Sequence, residues 1–347
     1  MSEMSRPSMA RRTVLGAIAS SPLWMHGAWA ASQAMRISHQ FPGGSITEGD
    51  FRDRLCRMFA TQVEKRTRGS LKFSIYPNSA LMAPNAQFGA LRKGGLDLAL
   101  VPLSYAGAEA PEANIGLMPG LVTSYQQGYG WKNADVGKEL TRILDEQGLV
   151  VVSWIWQAGG VASRGAEPIL RPEQVQGLKA RGGSREMDMI LQDAGATIVN
   201  VPSNEIHNAM KSGALDAAFT SSTSLITFRL HDVARSLTTA RGGGYWFMFE
   251  PLLMSKTVFA RLTKQQQAAV MEVGADLEKF ALRMAMADDQ QVAGYYARAG
   301  ARVADMDAES LRQWQEVART TAWRDFGGRS DNCAKLLALA EKQIVAL

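Results

Sequence analysis

The chain is poor in the residues that build metal centres and disulfide frameworks. Only two cysteines, Cys56 and Cys333, are present among 347 residues. The histidines that follow residue 30 are His39, His207 and His231, and no two of them have a metal-ligand spacing such as His-x-x-x-His. Cys56 falls on the apolar side of a predicted helix, where a thiol is more often part of the core than a nucleophile. We therefore expect no metal, no cofactor and no catalytic residue, and a chain that is not an enzyme.

Long apolar runs are also missing after residue 30. No later stretch reaches the roughly 18 uncharged apolar residues that a membrane-spanning helix needs. The first thirty residues carry Arg11-Arg12, an apolar stretch to Leu23, and Ala28-Trp29-Ala30, which has the small-x-small pattern of a cleavage site. Residues 1–30 are predicted to be a twin-arginine signal peptide cleaved near Ala30, with the general secretory route as the alternative, so that a periplasmic protein remains.

The charge balance is mild. Removing residues 1–30 takes away Arg6, Arg11, Arg12 and Glu3, which lowers the formal net charge from +5 to +3. The remaining basic residues are scattered and form no stripe interleaved with aromatics, which argues against a nucleic-acid partner. We expect a monomer, and the sequence leaves open whether the two distant cysteines pair in an oxidising compartment.

Apolar strands alternate with amphipathic helices along the rest of the chain. Strands are predicted at 71–75, 96–101, 149–152, 178–181, 197–199 and 215–219, and helices at 51–68, 127–147, 184–194 and 204–212. This βαβ rhythm predicts an α/β fold with mostly parallel sheets that are covered on both faces. Two such series, joined near residues 156–168, predict two lobes with a ligand cleft between them. Lobe I comprises 31–156 plus 246–286, and lobe II comprises 157–245 plus 287–347.

One helical stretch, 263–299, is longer than a single lobe is wide. It begins with a capping box, Thr263-Lys264-Gln265-Gln266, and keeps one apolar face through Met284. A continuous helix of this length has to lie across both lobes, although a break near Gly294 is an alternative.

Polar and aromatic residues stand where the predicted strands end. In open α/β sheets, ligands bind outside the carboxyl ends of the strands. Arg181 ends such a strand beside Gly182-Gly183, and its planar guanidinium can pair with a carboxylate through two hydrogen bonds. An isolated arginine is more often a surface residue, so the shared position at the strand ends carries the inference. The candidate ligand-binding residues are Arg181, Trp156, Gln157, Ser104, Tyr105, Thr220, Tyr245 and Phe41.

Several motifs together resemble those of a known family. They are Gly177-Leu178-Lys179-Ala180-Arg181, then Gly195-Ala196, then Glu205-Ile206-His207-Asn208-Ala209-Met210-Lys211-Ser212-Gly213-Ala214-Leu215-Asp216. Over the whole mature length the chain resembles the DctP-type substrate-binding proteins of TRAP (tripartite ATP-independent periplasmic) transporters. The resemblance implies the two-lobed fold of class II-like periplasmic binding proteins. It also implies a receptor that closes on a small organic acid and delivers it to a sodium-coupled membrane permease. A ligand-binding protein that serves a sensory receptor remains the alternative.

The resemblance also assigns roles to residues and exposes departures. Arg181 matches the family arginine that pairs with the ligand carboxylate. A second arginine of many members corresponds to Gly160 here, and Thr220 replaces a common ligand-binding asparagine. These departures imply a larger, less polar cleft with aromatic walls, which favours an apolar or aromatic monocarboxylate over a dicarboxylate. The alternative is that Arg164 restores the second cation.

Overall fold

The computed structural model describes residues 34–345, so the predicted signal peptide, 1–30, lies outside the described residues. The twelve strands described are β1 Met35–Ser38, β2 Phe73–Tyr76, β3 Leu98–Leu100, β4 Leu149–Ser153, β5 Trp156–Ser163, β6 Lys179–Arg181, β7 Thr197–Ile198, β8 Ala217–Ser221, β9 Ser236–Thr239, β10 Phe247–Phe249, β11 Leu252–Ser255 and β12 Arg302–Asp305. The α-helices described are α1 Phe51–Arg66, α2 Gln87–Arg92, α3 Tyr125–Gly130, α4 Asp135–Glu146, α5 Arg185–Asp193, α6 Ile206–Ser212, α7 Ser222–Thr227, α8 Lys256–Ala260, α9 Lys264–Arg298, α10 Ala308–Ala318, α11 Arg324–Gly327 and α12 Asp331–Val345. Within residues 34–345, none of the helices has both the length and the apolar character to cross a bilayer.

The strands form two sheets that confirm the two-lobed α/β fold. The first sheet has the order β2-β1-β3-β11-β4, and the second has the order β12-β9-β5-β8-β6-β7, with β10 also paired to β5. Both are mixed rather than all parallel. β11 runs antiparallel to β3 and β4, and β5 runs antiparallel to β8, β9 and β10. β5 is the strand by which the chain enters the second sheet from the first, and β11 is the strand by which it returns to the first sheet.

Two short crossings connect the sheets. The chain passes from β4 to β5 through Trp154 and Ile155, and from β10 to β11 through Glu250 and Pro251. The backbone N–H of Glu250 donates to the carbonyl of Ile155 at 2.9 Å, so the two crossings lie side by side. The second crossing was expected near Tyr245. The crossing lies five residues later, at Glu250, because β10 pairs with β5 and so belongs to the second sheet. The residues of β10 fall in the range that was predicted for lobe I.

Helix α9 is continuous and extends along both sheets. Thr263 accepts from the backbone of Gln266, and the Gln266 side chain accepts from the backbone of Thr263, which confirms the capping box. Its 35 residues measure about 52 Å, and the helix passes Gly294 without a break. Residues of its first half, such as Leu277, share a core with the first sheet, whereas Tyr296 belongs to a core beneath the second sheet.

The predicted helix 127–147 is divided in two. Helix α3 runs on through a 3-10 turn to residue 133, and Ala134 then adopts an extended conformation before α4 begins at Asp135. The two pieces pack closely, because a Cβ on Gly137 would lie 1.9 Å from the carbonyl oxygen of Trp131. The periodicity of apolar residues continues across this break, so the pattern alone does not reveal it.

The C-terminal helices contact residues of both predicted lobes. The indole N–H of Trp314 donates to the carbonyl of Leu170 at 2.8 Å, and that of Trp323 donates to the carbonyl of Pro119 at 2.8 Å. Lys335 of α12 pairs with Glu139 of α4 at 2.8 Å. Residues 308–345 therefore connect the two halves rather than belonging to the second one alone.

The two cysteines are free and lie in different cores. Cys56 packs with the first sheet and α9, whereas Cys333 packs in the larger core that includes Trp314 and Phe326. Burial raises the pKa of both thiols. The disulfide that the sequence left open does not form in this arrangement.

We therefore expect reducing agents to leave stability unchanged. A disulfide contributes about 2–4 kcal/mol, so its reduction would lower the melting temperature visibly. Melting with and without dithiothreitol should give the same midpoint, and a thiol reagent should label both cysteines only after denaturation. A protein that melts earlier when reduced would contradict the separation of Cys56 and Cys333.

Candidate functional site

A cavity of about 680 Å³ opens at the carboxyl ends of β3 and β6. Ser104 and Tyr105 reach it from the turn that follows β3 of the first sheet, and Arg181 reaches it as the last residue of β6 of the second sheet. The other lining residues are mostly polar: Asn85, Gly107, Ala108, Glu109, Asn114, Gly183, Ser184, Arg185, Asp188, Met189, Gln192, Ile198, Asn200, Val201, Pro202 and Arg329. Three of the eight candidate residues are thus brought together.

Arg181 is buried and held in one orientation. Its Nε donates to the carbonyl of Val201 at 3.1 Å, its Nη1 to the carbonyl of Phe219 at 2.8 Å, and its Nη2 to the hydroxyl of Tyr105 at 3.0 Å. The charge is not cancelled by a hydrogen-bonded carboxylate, because all three acceptors are neutral. Two of its five N–H groups remain for another acceptor. This arrangement suits an anionic ligand.

Gly183 makes room for that guanidinium. Its φ of +96° lies in the left-handed region, and a Cβ there would stand 2.7 Å from Arg181 Nη1. Gly183 therefore leaves room for the arginine that would bind the ligand.

Tyr105 connects Arg181 to the opposite side of the cavity. Its hydroxyl oxygen accepts from Arg181 Nη2 and from the backbone N–H of Ser203, each at 3.0 Å. A phenol has two lone pairs and one hydrogen, so both lone pairs are used and the hydrogen is left to be donated. A carboxylate beside Arg181 can accept it.

A further hydrogen bond joins the two sheets at the cavity, because Ser104 Oγ donates to the carbonyl of Gly183 at 3.0 Å. Together with the Arg181–Tyr105 contact, it holds the segment 181–183 against the first sheet. The structure thus shows the two halves already in contact. Within the second sheet, the indole N–H of Trp246, the residue before β10, donates to the carbonyl of Gly182 at 2.9 Å.

The remaining five candidates do not line this cavity. Each is at most 2% exposed: Phe41, Trp156, Gln157, Thr220 and Tyr245. Trp156 is covered by α3, where a Cβ on Gly128 would lie 2.8 Å from its ring, and Tyr245 stacks on Trp314 at 4.7 Å. Thr220 lies near the carboxyl end of β8 as expected, whereas Trp156 and Gln157 begin β5 and Tyr245 precedes β10. Neighbouring elements cover all five side chains, so a role in ligand contact stays a prediction.

Comparison with known proteins places this geometry in a family. Residues 46–327 match the family described as bacterial extracellular solute-binding protein, family 7, or DctP. The chain belongs to the DctP family. A solute-binding protein of Albidiferax ferrireducens is 60% identical over 339 residues, which cover 97% of this chain and 100% of the relative.

Solved structures of related proteins share the fold of this DctP-family chain. The crystal structure of a TRAP periplasmic solute-binding protein from Rhodoferax ferrireducens, with bound malonate, is 62% identical with a TM-score of 0.88. The match covers 90% of this chain and 98% of that one. A Bordetella pertussis extracytoplasmic solute receptor that binds pyroglutamic acid is 21% identical, with a TM-score of 0.79 over 90% of this chain and 100% of that chain, and shows the likeness of fold alone.

Gly160 does not enlarge the cleft of this DctP-family protein. It lies in the middle of β5, paired in register with Thr220 of β8, and a Cβ there would come within 2.2 Å of the Thr238 carbonyl oxygen. Backbone from β9 fills the place that a side chain would take. Arg164, the proposed substitute cation, lies outside the cavity lining and pairs with Asp216 at 3.2 Å.

A second polar cluster, which we call the hinge cluster, lies beside the two crossings and comprises Asp50, Arg52, Gln157 and Glu250. Arg52 donates to both Asp50 oxygens, at 2.9 and 2.7 Å, and lies 3.5 Å from Glu250, which also accepts from Gln157. The guanidinium carbon of Arg52 lies 3.6 Å from the centre of the Phe41 ring. Burial raises the pKa of Glu250 to about 7, against the opposing effect of Arg52. Gln157 and Phe41 thus contact the hinge cluster instead of the cavity.

Sequence reasoning missed several residues that line the cavity or support it. Asp188 accepts from the backbone N–H of Gly182 at 2.9 Å, and burial raises its pKa to about 6. Asn114 comes from a 3-10 segment and Arg329 from the turn before α12. Asp188 follows the capping residue Ser184 within one helical turn, a signal that could have been used. No sequence signal identifies Arg329, because it lies 148 positions from Arg181 in the chain.

Proposed function

We propose that this protein is an extracytoplasmic receptor that binds a small organic acid by its carboxylate and delivers it to a sodium-coupled TRAP membrane permease. It is exported by residues 1–30 and acts in the periplasm after cleavage near Ala30. The observation that carries the proposal is the buried Arg181, whose guanidinium is oriented by neutral acceptors and joined across the cavity to Tyr105. The role is binding and release, with no catalytic step.

The lining favours a short, polar acid. Three arginines, Arg181, Arg185 and Arg329, face this cavity, while the aromatic side chains expected as its walls, Trp156 and Tyr245, are buried elsewhere. The Rhodoferax ferrireducens relative holds malonate, a three-carbon diacid. Both observations support a small polar organic acid over the aromatic monocarboxylate that the sequence favoured.

A thermal-shift survey of organic acids, followed by calorimetry, tests this function. The exported protein should be stabilised by short carboxylates and not by matched neutral amides or sugars. Failure of every carboxylate, with neutral solutes stabilising instead, would overturn the proposal. Uptake of the identified acid by a reconstituted TRAP permease, with and without this protein, would separate transport from a sensory role.

We expect Tyr105→Phe to weaken carboxylate binding about tenfold or more. The substitution removes the one hydroxyl hydrogen left for the ligand, and hydrogen bonds to charged groups contribute about 1.5–3 kcal/mol. Calorimetry with malonate measures the loss, and Tyr295→Phe, on α9 away from the cavity, is the matched control. Equal affinities of the wild type and Tyr105→Phe would show that the phenol does not touch the ligand.

A further inference from the structure

We propose that the ligand of this receptor carries an ammonium group that pairs with Asp188, so that the receptor selects zwitterionic amino acids. The inference rests on the proposed function, because it assigns the second charge of the ligand whose carboxylate pairs with Arg181. It follows from the balance of charges in the cavity lining.

Most charges of the lining are already neutralised. The charged side chains that line the cavity are Glu109, Arg181, Arg185, Asp188 and Arg329. Three of them are paired with residues outside the lining, namely Arg185 with Asp325, Arg329 with Glu186, and Glu109 with Arg92. Arg181 and Asp188 form no salt bridge with any of the residues 34–345. The lining therefore offers a ligand one positive group and one negative group.

Two adjacent glycines bring these two groups to one turn. A Cβ on Gly182 would lie 2.8 Å from Asp188 Oδ1, and a Cβ on Gly183 would lie 2.7 Å from Arg181 Nη1. Consecutive Cα atoms are about 3.8 Å apart. The guanidinium and the carboxylate thus flank the same short segment without pairing with each other. A small molecule that carries both a carboxylate and an ammonium group can contact the two together.

Asp188 keeps one carboxylate oxygen for a ligand. Its Oδ1 accepts from the backbone N–H of Gly182 at 2.9 Å, and its Oδ2 has no hydrogen-bond partner among the described residues. The side chain is half-buried in the cavity lining. An ionised carboxylate only accepts hydrogen bonds, so the available oxygen needs a donor. An ammonium group supplies donors and the opposite charge, which makes the hydrogen bond stronger than one from a neutral group.

Asn114 adds an acceptor to the same lining. Its Nδ2 donates to Glu186 at 2.9 Å, which fixes the orientation of the amide. Its Oδ1 is buried without a hydrogen-bond partner within the part of the chain that the structure describes. Buried polar atoms are rarely left unpaired. A second carboxylate on the ligand would bring another acceptor, whereas an ammonium group has three N–H donors, so Asn114 also favours a cationic group.

Calorimetry at pH 7.5 tests the proposal, because burial raises the pKa of Asp188 only to about 6 and its carboxyl group is then ionised. A thermal-shift survey of the standard amino acids and of glycine homologues with a terminal amino group identifies the best ligand. This amino acid is compared with two analogues, in which hydrogen or hydroxyl replaces the amino group. The wild type should bind the amino acid at least about tenfold more tightly than either analogue.

Asp188→Asn separates the charge from the fold. The asparagine Oδ1 can still accept from the backbone N–H of Gly182, so the segment 181–183 keeps its support. Binding of the amino acid should weaken about 10- to 100-fold, because the ammonium group loses its counter-charge. Binding of the analogue without the amino group should not weaken, since a negative charge near its carboxylate is removed. Asp193→Asn, at the exposed end of α5 and outside the lining, is the control and should change neither.

The outcomes distinguish this inference from the function on which it rests. A purely structural role for Asp188 would weaken both ligands alike in Asp188→Asn. If the analogues bind the wild type as tightly as the amino acid does, or if the variant keeps the wild-type preference, Asp188 does not hold an ammonium group and the receptor function stands. If no carboxylate binds the wild type, with or without an amino group, the proposed function fails instead.

Discussion

Arg181→Ala is expected to weaken carboxylate binding by about 2–5 kcal/mol, which is roughly 30-fold to several thousandfold in affinity. Arg181 is 3% exposed and keeps two N–H groups for the ligand. Removing it leaves the ligand carboxylate in a cavity with one fewer cation. Truncating one member of a buried charge pair costs more binding free energy than truncating one member of an exposed pair, because the remaining buried charge is incompletely solvated.

Calorimetry with the best acid measures this loss, with Arg302→Ala as the control, since Arg302 is exposed and pairs with Glu167 away from the cavity. Arg181→Lys separates charge from geometry. It keeps the cation without the planar fork and should fall between the wild type and the alanine variant. Because Arg181 also holds Val201, Phe219 and Tyr105, each variant needs a melting curve. Unchanged affinity in a folded Arg181→Ala protein would remove the carboxylate site from this cavity.

The hinge cluster is expected to make the protein less stable as the pH rises from about 4.5 to about 7. The pKa of Glu250 is raised from its ordinary 4.5 to about 7 because the carboxyl is fully buried. The folded state therefore binds this proton more tightly than the unfolded state. Glu250 therefore contributes on the order of 3 kcal/mol to the free energy of unfolding below about pH 4.5, and this contribution is lost as the pH rises through 7.

Glu250→Gln should flatten this dependence. The amide cannot ionise, whereas Arg52 keeps its two bonds to Asp50. Urea denaturation at pH 5 and pH 8 gives the two free energies of unfolding, and their difference should be smaller in the variant by about 3 kcal/mol. Some dependence should remain, because burial also raises the pKa values of Asp288 and Asp289 to about 6. Glu272→Gln, on the exposed face of α9, is the control, and an equal pH dependence in wild type and Glu250→Gln would contradict the argument.

The sequence predicted the architecture well because the architecture depends on local patterns. Alternation of apolar residues identified β2, an unbroken apolar run identified β4, and the Thr263 capping box identified the start of α9. Arg181 was predicted for a related reason. A charged residue that ends a short strand beside glycines is rarely buried unless it has a binding partner, such as a ligand.

The rest of the site depends on contacts between distant segments. Whether Trp156 faces a cleft or the core is decided by α3 and the 3-10 turn after it, which cover the indole with Gly128 and Trp131, respectively. A position at a strand end determines where the backbone of a residue lies, but it does not determine which neighbouring element covers the side chain. Arg329 enters the cavity only because α10 to α12 fold back on both halves, and no local spacing predicts that.

The position of β11 has a consequence for the order of events during synthesis. β11 separates β3 from β4 in the first sheet, so β4 has no partner in that sheet until residues 252–255 have emerged. For about a hundred residues of translation, the edges of β3 and β4 are open, and open edges invite pairing with other chains. A twin-arginine route, which carries folded proteins, requires this late insertion to be complete in the cytoplasm. A general secretory route would postpone it until after export, under a different set of chaperones.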